Sequence, residues 1–445
     1  MPRLRLLSCA LALAPLAAAA EIAIMTYDPG HFHAGLLMKE MTPGVSRQTT
    51  IYAPLGPDLT AHLNRVIRFN TRADNPTSWD IRVFAGANSF EKMLAEHPGN
   101  VVVFSGRNQG KIDRIRASID AGLHVLADKP WLIETEEFAK LAPALAAARK
   151  RRVAAYDAMT QRFEVSCLLQ KDLVNDRELF GKPVAVELES VHYLLKVVAG
   201  AVNQRPPWFF DIRQQGEGLT DVGTHLVDLV QWTLFPETPL DYRKDIRITG
   251  AKRWATPIPL DGFTRVTGEA AFPKYLASAV QDGKLNYYCN NTVEYTLRGV
   301  PVKLDVRWDF ELPPGGNDTE LAIYRGSVAS VEVHQKKEQK FIPELYVVPA
   351  TALNRQQVGA ALRRKVSALA AQWPGIEVRE EGARFHVLIP DKHRIGHEAH
   401  FALLTKRFFE YVKQPGSMPA WEDAFMLAKY YTTTEGVAFA RRNSK

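Results

Sequence analysis

A chain of 445 residues with 46% hydrophobic and 24% charged positions is a folded protein, and it is too long for one ordinary core, so two domains are expected. The formal net charge of +7 is spread along the chain. Its one dense basic run, Arg149-Lys-Arg-Arg152 after the alanine-rich stretch 141–148, reads as a solvated helix end, so no nucleic-acid partner is expected.

Residues 1–20 read as a secretory signal. Arg3 and Arg5 precede an uncharged apolar run from Leu6 to Ala20, and Ala18-Ala-Ala20 offers a small-residue cleavage site. The mature chain is therefore expected to begin at Glu21 and to be periplasmic or secreted. The run is short of the roughly 20 apolar residues of a membrane span, so no span is expected. Cys167 and Cys289 stay in the mature chain, either paired or as two free buried thiols.

Glu21 to Tyr27 predicts a first buried strand, which leads through Asp28-Pro-Gly-His-Phe-His33 into a helix carrying Leu36, Leu37 and Met41. In a dinucleotide-binding fold this turn reads Gly-x-Gly-x-x-Gly, so that pyrophosphate can approach the backbone and the helix N-terminus. Here the three positions hold Asp28, Gly30 and His33. An aspartate there is unfavourable to a pyrophosphate unless it caps the helix or turns away. Thr49 to Ala53 is the second strand. Asp58 beyond it is either a ribose ligand or a helix N-cap. A short helix, His62 to Phe69, a strand, Ile81 to Phe84, and a helix from Phe90 follow. The next strand, Val101 to Phe104, opens into Ser105-Gly-Arg-Asn-Gln-Gly-Lys111. Lys111 to Ala121 has helical spacing, with Ile112, Ile115 and Ile119 on one face, and Gly122 stops it. His124 to Ala127 is a further strand with Asp128-Lys129-Pro130 at its carboxyl end, the edge where open α/β sheets bind ligands. Helix 138–148 and strand 153–157 complete an alternation that predicts a doubly wound, Rossmann-like parallel sheet over 21–158.

Residues 159–445 predict an α+β domain with a large, mostly antiparallel open sheet. Val184–Tyr193, Arg265–Ala271, Tyr275–Val280, Thr292–Arg298, Val302–Phe310 and Val328–His334 have strand character. Helix 357–372 precedes a hairpin over 376–388. The closing helix, Trp421 to Arg442, is a candidate to pack back on the first domain. Within Gln214 to Trp232, Asp221 and His225 are four apart, so on one helix face the carboxylate would fix the histidine tautomer for general-base work. Asp228 lies further along the same stretch. His192 and Lys196 are candidates to face substrate hydroxyls, and Trp208 either stacks on a sugar or packs. His397-Glu-Ala-His400 lacks the spacing of a zinc helix, so no metal is expected.

The strand–helix–Ala121-Gly-Leu-His-Val125 run ending in Asp128-Lys129-Pro130 resembles the Glu-Lys-Pro segment of the glucose–fructose oxidoreductase/inositol dehydrogenase (Gfo/Idh/MocA) family. The Asp221/His225 pair, with Asp228 after it, is similar to that family's inositol dehydrogenase-type site. Beyond about residue 335 the chain resembles an oxidoreductase C-terminal subgroup with no established reaction. The resemblance implies NAD or NADP as cofactor, a small sugar or polyol as substrate and a homo-oligomer. It further implies that Lys129 binds the substrate oxygen and stabilises alkoxide charge, that His225 is the base and that Asp221 orients it. Asn108 falls in the loop that lies against the nicotinamide side, where it is either a cofactor contact or a turn-forming asparagine.

Three functions follow from that resemblance. The first is an exported NAD(P)-dependent oxidoreductase of a sugar or polyol hydroxyl, with the cofactor retained because no free nicotinamide pool is expected outside the cytoplasm. The second is a redox-cycling glycosidase using the same site. The third is a non-catalytic carbohydrate-binding descendant, for which Asp28 and His33 are the best support.

Overall fold

The structure is a computed structural model and describes residues 21–198 and 201–443; the signal-like residues 1–20 lie outside these. Six parallel strands form the first sheet: β1 (Ile24–Tyr27), β2 (Gln48–Ala53), β3 (Asp80–Ala85), β4 (Val101–Phe104), β5 (His124–Ala127) and β6 (Ala155–Asp157). Their order is β3-β2-β1-β4-β5-β6, the doubly wound arrangement in which ligands bind where β1 and β4 diverge. Every residue of β4 is buried, as expected of a strand covered on both faces. The edge strand β3 is mostly exposed, with Asp80 and Arg82 facing solvent.

Six helices connect these strands: α1 (His33–Leu37), α2 (Pro57–Thr71), α3 (Ser89–Glu96), α4 (Lys111–Asp120), α5 (Thr135–Phe138) and α6 (Leu141–Arg151). Ile112, Ile115 and Ile119 of α4 are completely buried. The helix ends as its sequence predicts: Gly122 adopts φ 82°, and its N–H and that of Leu123 return to the carbonyls of Ile119 and Ser118 at 2.9 and 3.0 Å.

The second sheet has β7 (Pro183–Leu195) at its centre. On one side lie Val300–Glu311, Lys284–Leu297 and Ile246–Pro259; on the other lie Thr319–Gly326, Ala329–Gln335, Glu344–Pro349, Arg384–Leu388 and Glu377–Glu381. Only the pairing of β7 with Val300–Glu311 is parallel among these neighbours. One face buries Val186, Leu188, Val293, Leu304, Val306, Val331 and Val347 against helices. The other pairs charges across strands, Glu187 with Arg325 and Glu189 with Arg307.

Several parts of this domain differ from the sequence expectation, which did not include the strands Ile246–Pro259, Thr319–Gly326 and Glu344–Pro349. Arg265–Ala271 is not a strand, because Leu260–Thr267 is a helix, set between Pro259 and Gly268 at φ 81°, with Phe263 and Val266 fully buried. Tyr275–Val280 lies largely in a 3-10 turn, Lys274–Ala279, after Pro273. The His397–Lys413 helix has no counterpart in the expectation. It buries Phe401, Leu404 and Phe408 in the core formed with Ile22, Val101 and Leu126. Cys167 and Cys289 are free thiols.

His62, inside α2, is completely buried, and neither ring nitrogen has a partner among the described residues. Burial, helped by Arg65, lowers its pKa to about 4. The unfolded chain therefore takes up this proton near 6.5 and the folded chain only near 4, so stability falls as pH drops through that window. The contribution is on the order of 2–3 kcal/mol. Thermal unfolding followed from pH 7 to pH 4 should show a midpoint that falls steadily, and His62→Leu should flatten the fall.

Candidate active site

The carboxyl end of β5 is fixed before any ligand arrives. The Asp128 N–H bonds the Phe104 carbonyl at 2.8 Å. Lys111, buried in α4, sends Nζ to the carbonyls of Asp128 and Pro130, both at 3.0 Å, and to Asn108 Oδ1 at 2.5 Å. Burial lowers Lys111 to about 8. The Trp131 N–H donates to the Tyr430 hydroxyl at 3.0 Å. Lys129 thus projects from a braced segment and pairs with Asp221, Nζ to Oδ1 at 2.5 Å. Burial pushes the Asp221 carboxyl up, but the Lys129 ammonium outweighs it and holds Asp221 below the usual carboxylate range.

His225 sits in the first turn of the Gly223–Leu234 helix, and its Nδ1 is buried without a partner among the described residues. Burial first, and then the Lys129 charge, hold it well below the usual histidine range, so the ring is neutral. The expectation that Asp221 orients His225 is corrected. Asp221 lies before the helix, whose N-cap is Val222, so the four-residue spacing does not put the two on one helical face. Lys129 takes the carboxylate instead.

The turn after β1 is satisfied by the protein itself. The Gly30 N–H bonds the Asp28 carbonyl at 2.9 Å, and the His31 N–H bonds the Ser105 carbonyl at 2.7 Å. The Ala34 N–H bonds Ser105 Oγ at 3.3 Å. Asp28, at φ 45°, accepts from Arg107 Nη1 at 3.0 Å and from the Arg107 backbone N–H at 3.2 Å. Arg107 also reaches Asp58 at 3.2 Å. Asp58 is in the first turn of α2 and is not its N-cap, which is Gly56; burial raises its pKa. His33 and His31 turn Nδ1 onto the two oxygens of Asp128, at 3.0 and 2.6 Å. Burial would raise Asp128, but the two rings hold it well below the usual range.

Trp208 closes the groove. Its Nε1 donates to Asp58 at 2.8 Å, and a Cβ added at Gly30 would lie 2.7 Å from its ring. Trp208 therefore packs across the turn and does not offer a face for stacking on a sugar. A dinucleotide meets obstacles in this arrangement, because the Gly30, His31 and Ala34 amides are bonded within the protein and an indole ring covers the central glycine. Asn108 is likewise committed, donating to the Gln215 carbonyl at 2.8 Å and accepting from Lys111.

His192 and Lys196 gather on Asp318, at 3.3 and 2.6 Å. Burial would raise Asp318, but they bring it down to about 2. Arg205 lies over the Trp308 ring at 4.7 Å, and Asp221 and Asp318 both act on its charge. Asp228 is corrected from a substrate candidate to a buried framework residue. Its oxygens accept from Arg162 at 2.6 and 2.7 Å, and from Lys429 at 3.2 Å. Of the residues expected from sequence, the structure brings Lys129 to Asp221 and His33 to Asp128; beside them stand His31, Arg107, Arg205 and Asp318, which the sequence reading did not single out. Only His31, in Gly30-His-Phe-His33, carried a local signal. The others are brought in by folding from isolated positions.

A parallel sheet of this order, a Lys–Asp pair at its carboxyl edge and a mixed sheet closing over it define a two-domain oxidoreductase. Residues 169–441 match the family model described as "Putative oxidoreductase C terminal domain". The chain belongs to the Gfo/Idh/MocA family. It is 41% identical to a "putative oxidoreductase" from Parabacteroides merdae ATCC 43184, over 96% of this chain and 99% of that one, with a TM-score of 0.94. GenD2 from gentamicin A biosynthesis, solved with NAD, shares the fold at 16% identity and TM-score 0.58, over 98% of each chain. So does levoglucosan dehydrogenase with NADH and levoglucosan, at 14% identity and TM-score 0.59, over 95% of this chain and 98% of that one. No curated protein matches the chain.

Replacing Asp228 with alanine would leave Arg162 and Lys429 buried without that carboxylate, at a cost of about 3–5 kcal/mol. Denaturant unfolding of Asp228→Ala should show a loss of this size, which a substrate-contacting residue at an open cleft would not.

Proposed function

We propose that the protein oxidises a hydroxyl of a small sugar or polyol with NAD or NADP as the hydride acceptor or, in the reverse direction, reduces the corresponding carbonyl with the reduced dinucleotide as the hydride donor. The observation that carries this reading is the Lys129–Asp221 pair beside the unpartnered His225 nitrogen. Lys129, fixed by its carboxylate, holds the substrate oxygen and offsets the negative charge that develops on it. The neutral His225 ring receives the hydroxyl proton. The His192–Lys196–Asp318 group and Arg205 provide donors and acceptors for further hydroxyls on the side of the mixed sheet.

The acceptor is of the kind bound by GenD2 and levoglucosan dehydrogenase. It enters only when Trp208 leaves Gly30 and Arg107 releases Asp28. Export through residues 1–20 and homo-oligomer formation belong to the same proposal. The basic, apolar and small-residue sequence of the leader supports the first, and the resemblance to the family supports the second.

The Trp208 ring over Gly30 and the Asp28–Arg107 pair across the turn favour one other reading, a carbohydrate-binding protein without catalysis. Dinucleotide titration followed by tryptophan fluorescence separates the two. Trp208→Ala should bind NAD or NADP at least tenfold more tightly than the wild type. Absence of binding by both proteins, and of any nicotinamide dinucleotide released on denaturation, would leave the binding-protein reading. With a dinucleotide and a panel of sugars and polyols, Lys129→Met and His225→Asn should each lower kcat/KM by roughly 10²–10⁴-fold without changing dinucleotide affinity.

A further inference from the structure

His31, His33 and Asp128 come from two different strand ends, 95 and more residues apart in sequence, yet each offers a ligand atom within 4.8 Å of the others. The set is two imidazole nitrogens and one carboxylate, borderline and hard donors of the kind that suit divalent first-row ions. Each part is held. The Asp128 backbone is fixed by Lys111 and by the Phe104 carbonyl. Ser105 Oγ reaches the Asp128 carboxylate at 3.4 Å. The His33 ring is sandwiched by His397, stacked at 5.0 Å, and by Phe401, also at 5.0 Å. Such outer contacts fix ring orientation before an ion arrives.

The three ligands also differ in exposure in a useful way. The side chains of His33 and Asp128 are 5% and 7% exposed, and that of His31 is 34% exposed. The cluster is thus walled on the inside and open on one side, as a metal site with free coordination positions must be. His31, the exposed ligand, also acts on the charge of Asp221, so the open side faces the same cleft as the Lys129–Asp221 pair.

We propose that His31, His33 and Asp128 bind one divalent first-row transition cation of the zinc type. Its remaining positions face the cleft and take water or a hydroxyl or carbonyl oxygen of a polyhydroxylated ligand. The ion would take the place of the hydrogen bonds between the two rings and the carboxylate. An oxygen bound to it would be a stronger acid than the free group. This site lies at the inner end of the dinucleotide groove, and its ligand atoms come from His31, His33 and Asp128 alone, so its metal binding is read without a dinucleotide.

The test uses the full mature chain without substrate or dinucleotide. Protein stripped with a chelator is titrated with Zn²⁺, and separately with Mn²⁺, by calorimetry, and the bound metal is counted by elemental mass spectrometry after dialysis. The expected result is about one Zn²⁺ per chain and a raised thermal midpoint. His31→Ala and Asp128→Asn should weaken binding by at least tenfold, in the range seen when single ligands or their supports are lost. Lys129→Met should keep the stoichiometry. His31 is partly exposed, so His31→Ala retains the apo fold and its circular dichroism checks this. No saturable binding by the wild type, or equal binding by His31→Ala, would overturn the proposal and leave a hydrogen-bonded cluster only.

Discussion

The arrangement of the two domains depends on a buried set of charges around Asp228. Arg162, from the connection between the domains, bridges Asp228 and Glu422. Lys429, from the C-terminal helix Ala420–Asn443, bridges Asp228 and Asp157 at the end of β6. Three carboxylates and two cations are removed from water together. Such burial is tolerated only when nearly every lone pair and proton finds a partner. Here the partners come from four separate chain segments, so the charges can be satisfied only in one relative placement of those segments. The network thereby specifies an assembly more than it adds net stability. Asp228 is brought down to about 2 by Arg162 and Lys429, against the effect of burial, so it stays ionised across the range in which the protein folds.

The consequence for the site is direct. Tyr430, next to Lys429, donates to Asp157 at 2.8 Å and receives the Trp131 N–H at 3.0 Å. The strand end that carries Lys129 is therefore tied to the same helix that the charge network seats. Asp228 itself lies one turn beyond His225 on the Gly223–Leu234 helix. Lys129 and His225 approach the cleft from different domains, and the C-terminal helix holds both. A reaction that needs a cation and a base within contact of one oxygen depends on that kind of tie, because a displacement of about 1 Å is enough to lose much of the effect.

How far the sequence spoke for itself varied with the range of the interactions involved. The parallel sheet was legible because its central strands, such as Val101–Phe104 and His124–Ala127, are short runs rich in buried apolar residues bounded by helix signals, and Gly122 ends α4 through its own backbone freedom. In the mixed sheet the pattern is weaker. Ile246–Pro259 contains Gly250 and Pro257 and has two irregularities in its register, so it does not alternate cleanly. Pro259 and Gly268 bracket a short helix that strand propensity alone misassigns. In the site, Lys129, Asp221 and His225 were legible from motif spacing. Their partners were not, because Asp221 turns to a lysine 92 residues away and not to the histidine four residues on. Asp228 and Trp208 show the same limit: their residue types suit a substrate, and only folding reveals that one is clamped by Arg162 and the other lies on Gly30.

The turn after β1 carries the strongest physical message in the cleft. An anion cradle works by presenting bare amides and no side chains. Here the turn presents Asp28, His31 and His33, and Asp58 and Asp128 lie beside it. Three carboxylates at one sheet edge repel a pyrophosphate and need positive charge. Arg107 supplies it to Asp28 and Asp58, and its guanidinium also lies over the Trp208 ring at 5.1 Å. One arginine thus neutralises the groove and holds its cover. Asp128 is met by the two imidazoles of His31 and His33 and has the buried Lys111 ammonium behind it. The side chains that crowd this turn against a phosphate are thus the same ones that bring two ring nitrogens and a carboxylate together at its inner end.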